Sequence, residues 1–163
     1  VFRGVPVMAM IRCATHSSDG KANLHQGAVG VGIDIGSGQS ICAVQHNRII
    51  IQHPDTKIAF NQLKIPHWQQ VLELAASCAS MTGLDYLGAD IVLDRQAGPM
   101  LLELNARPGL AIQVANQVGL RHRLGAAAKI ANLTNNQAEK ISLARQQFSS
   151  VAVANGQLSM NIL

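Results

Sequence analysis

The chain is 163 residues long, 48% apolar and 13% charged, with thirteen Lys and Arg against nine Asp and Glu and a formal net charge of +4. That length holds one ordinary domain or one large piece of a bigger protein, and the composition excludes a disordered, highly charged tail. The basic residues are scattered singly from Arg3 to Arg145 and aromatics are 3%, so neither a nucleic-acid-binding arm nor a base-stacking platform is expected.

Residues 1–3 and 7–13 are rich in β-compatible side chains and flank Gly4-Val5-Pro6, which predicts an opening hairpin followed by a polar loop at 15–20. After Lys21-Ala22-Asn23-Leu24-His25-Gln26-Gly27, glycines at 27, 30, 32, 36 and 38 interrupt a Val/Ile-rich stretch. That is the pattern of strands with bulges or close backbone approach. A second hairpin is expected from 40–45 and 48–52 around His46-Asn47.

Beyond Pro66 the period changes. Trp68, Val71, Leu72, Ala75, Ala76 and Ala79 recur at the spacing of an amphipathic helix, which Gly83 stops. Residues 86–93 and 100–105 read as two strands joined by Asp94-Arg95-Gln96-Ala97-Gly98-Pro99, and 111–148 as mainly helical. A short apolar run at 151–154 and Asn155-Gly156 occupy the tail.

Cys13, Cys42 and Cys78 are odd in number, widely spaced and without a CxxC pair, which predicts a reducing, cytoplasmic compartment and supports neither a disulfide framework nor a zinc site. No run approaches the roughly 18 apolar residues of a membrane span. The start lacks both a signal-peptide layout and an initiator Met, so the chain is expected to be a fragment. The six histidines, at 16, 25, 46, 53, 67 and 122, have no metal-ligand spacing and are expected mostly in solvent-facing loops. Neither a dinucleotide fingerprint, a phosphate loop nor a nucleophile elbow is present.

With nine carboxylates, a metal or acid–base site has few candidates. Glu103 and Asn105 lie two apart in a strand, so they share one face while Leu102 and Leu104 take the other. If the hairpin is centred between Gln96 and Ala97, Asp90 stands opposite Glu103. Two carboxylates and an amide oxygen form the all-oxygen set that hard cations such as Mg²⁺ prefer, and opposed carboxylates repel without a cation. The same residues have plainer readings: Glu103 as a strand residue facing water, Asn105 as a helix N-cap or turn former, Asp90 as a partner for Arg107 or Arg95.

The string Leu101-Leu102-Glu103-Leu104-Asn105-Ala106-Arg107-Pro108-Gly109-Leu110 resembles the metal-binding strand and turn of ATP-grasp ligases. With Gly88-Ala89-Asp90 and Asn23-Leu24-His25-Gln26-Gly27 it is most similar to their alpha-L-glutamate ligase (RimK-type) branch, over roughly residues 1–124. The resemblance implies an α+β ATP-grasp C-terminal lobe, a largely antiparallel sheet flanked by helices, with 125–163 as a mainly helical extension. It also implies an enzyme that joins a carboxylate to an amine through an acylphosphate, using ATP and Mg²⁺ or Mn²⁺. Its metal ligands would be Asp90, Glu103 and Asn105; Arg12, Lys21 and Asn23 would lie near the nucleotide phosphates, and Arg107 at the catalytic, substrate-facing edge. The partners implied are ATP and an amino-acid, peptide or protein substrate.

Two positions depart from the branch. Lys21 stands where relatives carry Arg, and a point charge cannot make the two-pronged phosphate contact of a guanidinium. Arg107 stands where many carry a small residue, and it reads equally as an ion-pair partner of Asp90 or Glu103. Asn23 and His25 also fit a polar turn. The resemblance places the family's adenine-contacting lysines in a preceding lobe, so the chain alone is expected to be inactive and to self-associate through surface that lobe would cover.

Two competing readings remain. One is a non-catalytic α+β scaffold or binding module. The other is suggested by residues 31–44, including Asp34-Ile35-Gly36-Ser37-Gly38, which resemble the first phosphate-binding hairpin of the actin, Hsp70 and sugar-kinase superfamily.

Overall fold

The computed structural model describes residues 1–150; the elements expected at 151–156 lie outside the described residues. The glycine-punctuated stretch lies in a four-stranded antiparallel sheet in the order β1 (Ala9–Cys13), β2 (Val29–Ile33), β3 (Ser40–Gln45) and β4 (Arg48–Ile50). Helix α1 (Trp68–Thr82) leads into a separate hairpin of β5 (Gly88–Asp94) and β6 (Gly98–Asn105), after which come α2 (Ala111–Asn116), α3 (Leu120–Leu133) and α4 (Gln137–Gln147). The architecture is α+β, antiparallel sheets flanked by helices.

Strand β2 is buried along its whole length. Val29, Val31 and Ile33 are at most 1% exposed, and burial of such side chains contributes about 1.5–3 kcal/mol each. The glycines between them admit neighbours: a Cβ on Gly32 would stand 2.3 Å from the Ala115 carbonyl oxygen, so glycine lets α2 lie against the sheet. The ladder from β2 to β3 shifts register between Val31 and Ile33, the bulge expected from the glycine pattern.

The β3–β4 hairpin forms as expected except that its second strand stops at Ile50 instead of 52, turning through His46 and Asn47 at φ 49° and 60°, the left-handed pair of a tight two-residue turn. The opening hairpin does not. Phe2 and Val5 exchange two backbone hydrogen bonds of 2.9 and 2.8 Å around Arg3-Gly4, Phe2 also bridges to Tyr86, and β1 pairs with β2 instead. Pro6, without an N–H, cannot extend the short ladder toward β1.

Helix α1 occupies the expected span, burying Leu72, Ala76 and Cys78 and ending at Gly83 in the left-handed conformation. It packs between the β5–β6 hairpin and α4. Its Trp68 indole N–H donates to the Ile35 carbonyl at 2.9 Å. One core joins Val5, Val7, Ile35 and Leu72 to Ile130 and Ile141 of α3 and α4; a second gathers the β2 side chains with Phe60 and Ile65. The division expected after Leu124 falls inside α3. No helix among the described residues is long and apolar enough to cross a membrane.

Candidate metal and nucleotide site

The β5–β6 ladder pairs Asp90 with Glu103 and Gly88 with Asn105. By alternation, the two carboxylates and the Asn105 side chain share one face of the hairpin. The hairpin reaches this register with Asp94 opposite Gly98, a loop centred on Gln96, and a shift next to Asp90 and Ile91 that leaves Leu102 unpaired. The loop is stapled by Asp94, whose carboxylate accepts the Gln96 and Ala97 N–H groups, both at 2.8 Å. Hydrogen bonds from Ala97 and Gln96 hold the Asp94 carboxyl below its ordinary value.

Beyond β6 the chain folds back over the end of β5. A Cβ on Gly88 would stand 2.9 Å from Pro108 Cβ, so glycine permits that return. The Asn105 Oδ1 accepts the Arg107 backbone N–H at 2.8 Å, as its reading as a turn former requires. This fixes the side chain while leaving the amide oxygen a second lone pair.

Arg12 reaches the same carboxylates from the other sheet. It pairs with Gly30 in the β1–β2 ladder, and its Nη2 donates to Asp90 Oδ2 at 2.8 Å with both side chains about two-fifths exposed, 41% and 42%. The cation beside Asp90 is therefore Arg12, and not Arg95 or Arg107. Arg107 and Glu103 are exposed and make no ion pair among the described residues.

Lys21 and Asn23 serve their own turn. Lys21 Nζ lies 3.5 Å from Asp19 Oδ2, and the Asn23 side chain accepts the His25 N–H at 3.0 Å, capping the short turn Leu24–Gln26. No hydrogen bond or ion pair joins either to Asp90 or Glu103 among the described residues.

Three polar side chains have contacts that were not legible in the sequence. Asn116 is 4% exposed, and its Nδ2 donates to the Ala9 and Ile112 carbonyls at 2.9 Å each, tying the helix that follows the Asn105 turn to the strand that carries Arg12. Its Oδ1 is buried with no hydrogen-bond partner among the described residues. An isolated Asn in an apolar helical stretch carries no periodic signal for this. His53 is a half-buried loop staple instead of a solvent-facing residue: its Nε2 lies 2.9 Å from the Ala14 carbonyl oxygen, and Nδ1 accepts the Asp55 and Thr56 N–H groups at 3.3 Å. Asp34 is 2% exposed, and its oxygens accept the Ser37 N–H and hydroxyl at 2.7 Å and the Ser150 N–H at 2.5 Å. Burial alone would raise its pKa, but these hydrogen bonds from Ser150 and Ser37 outweigh it and hold the carboxyl below the ordinary range. The stretch resembling the actin-type hairpin is thus a turn closed on its own acid.

No group of three or more His, Cys, Asp or Glu side chains is placed to hold a metal among the described residues. The candidate donors are two carboxylates and an amide, all oxygen, in a register that opposes like charges; that chemistry fits a hard divalent cation. Comparison with curated proteins and with solved structures returns no match. The model of the family described as sugar-transfer associated ATP-grasp matches residues 1–129, a span that contains every candidate residue above. The chain belongs to the sugar-transfer associated ATP-grasp family.

Proposed function

We propose that this chain carries the metal-bearing lobe, residues 1–124, of an ATP-dependent ligase that joins a carboxylate to an amine through an acylphosphate, with residues 125–163 as its extension. The observation that supports this reading most is the pairing of Asp90 with Glu103, with Asn105 on the same face. Bound there, Mg²⁺ or Mn²⁺ would offset phosphate charge as a carboxylate oxygen attacks the γ-phosphorus. Asp90, Glu103 and Asn105 are the ligands in this reading. Arg12 supplies a guanidinium fork to phosphate oxygens, with Lys21 and Asn23 flanking it as weaker donors. Arg107, exposed and in no ion pair among the described residues, meets the acidic substrate beside the ligand strand. Turnover requires the second half of the ATP clamp.

The RimK-type resemblance supports glutamate as the amine, and the family's sugar-transfer association supports a substrate borne on a sugar. Unpaired Cys13, Cys42 and Cys78 support a reducing, cytoplasmic setting. A scaffold reading is favoured by one fact, that Asp90 and Asn105 each already have a partner within the protein, Arg12 and the Arg107 N–H. Calorimetry of Mg²⁺ with ADP against the wild type and Glu103→Gln separates the two. Binding to the wild type that is lost in Glu103→Gln supports the ligase lobe, and equal heats from both proteins contradict it.

A further inference from the structure

Asp90 and Glu103 face each other across the hairpin, an arrangement that is unfavourable for two like charges without a cation. The cation present is the Arg12 guanidinium, 2.8 Å from Asp90 Oδ2 and delivered by a strand of the other sheet, 78 residues away in sequence. We infer that Arg12 is a resident cation that makes the site respond to metal and to phosphate together: it opposes a divalent ion arriving alone and favours one arriving with a phosphate-bearing anion. This rests on the reading of Asp90, Glu103 and Asn105 as metal ligands.

Mg²⁺ bonds carboxylate oxygen at about 2.0–2.1 Å. The guanidinium nitrogen at Asp90 Oδ2 holds one of the two carboxylate oxygens, and two cations on one carboxylate repel. Metal entry is therefore opposed by Arg12 and favours its release. Released, its fork is free for a planar, two-pronged contact, and a phosphate group is the acceptor that matches it. A nucleoside diphosphate bound through the metal would bring such a group to that place. The displaced side chain then gains a partner instead of losing one, and by linkage each ligand raises the affinity of the other equally. The ion pair is two-fifths exposed on both sides, so it is weak enough to exchange at little cost. Lys21 does not perform this exchange: it pairs loosely with Asp19 at 3.5 Å, and the ion pair of Asp90 among the described residues is with Arg12.

The signature is a change of sign. Mn²⁺ is titrated into the full chain, alone and with ADP, for the wild type, Arg12→Gln and Arg12→Lys, with unliganded melting curves to establish folding. Arg12→Gln should bind Mn²⁺ alone about two- to fivefold more tightly than the wild type, the scale of an exposed ion pair. It should bind Mn²⁺ with ADP about tenfold more weakly, the loss of a charge-assisted phosphate contact. Arg12→Lys, which keeps the charge without the fork, should leave Mn²⁺ alone near the wild-type value and still weaken the ADP complex. Bare Mn²⁺ affinity unchanged or reduced in Arg12→Gln overturns the resident-cation role while leaving the metal ligands standing. A wild type that binds no Mn²⁺ with or without ADP overturns the site reading and this role together.

Discussion

The four-stranded sheet and the β5–β6 hairpin are both antiparallel, yet they are held by different forces. Strand β2 is buried throughout, whereas Val92, Met100 and Leu102 in the hairpin are 42%, 47% and 71% exposed. The sheet owes its place to hydrophobic burial and to glycines that admit a helix. The hairpin owes its form to its own ladder, a stapled turn and packing of one side on α1, and it carries the carboxylates. The fully buried strand lies in one region and the candidate metal ligands in the other, with the Arg12–Asp90 ion pair at their seam.

That contrast can be broken by mutation. Ile33→Ala in β2, where the side chain is 1% exposed, should cost about 2–5 kcal/mol in chemical denaturation; a loss under 1 kcal/mol would mean the sheet is not the stability core. Asn116→Ala, which leaves a carbonyl of β1 without its donor, should cost about 1–3 kcal/mol and weaken Mn²⁺–ADP binding more than a core substitution of equal cost. Equal weakening would separate α2 from the site.

Acid sharpens the comparison further. Asp34 has its pKa lowered by folding, so its contribution is complete above the unfolded value of about 4 and is lost as pH falls through the lower, folded value. Asp34→Asn should therefore flatten the acid limb of the stability curve below about pH 4, an effect read by denaturation across pH. At the small end, Leu102→Ala, 71% exposed in the hairpin, should shift stability by no more than about 0.5 kcal/mol. A larger loss would show that the hairpin buries that residue against a partner.

Local patterns were legible in the sequence and distant pairings were not. The 3.6-residue period and Gly83 define α1 because both signals lie within the helix itself. Asp90 opposite Glu103 followed from a loop centred at 96.5, but the chain arrives there through a loop centred on Gln96 and an unpaired Leu102; two offsets cancel, and neither has a sequence mark. β1 pairs with β2 and not with residues 1–3, because ladders across long loops depend on burial that no local period reports. Arg12 with Asp90 and Asn116 with Ala9 are 78 and 107 residues apart, contacts that only the tertiary fold creates. Asn23 and Asn105 illustrate a different limit. Both serve as turn formers, and a capping Asn and a ligand Asn look alike in sequence.

The most direct test is the position of the metal. Crystals of the chain grown with Mn²⁺ and ADP, measured for anomalous scattering, should show a peak bridging the Asp90 and Glu103 carboxylates, with the Arg12 guanidinium moved onto phosphate. A peak elsewhere on the protein, or Arg12 still on Asp90 with ADP bound and no metal between the strands, would contradict the account.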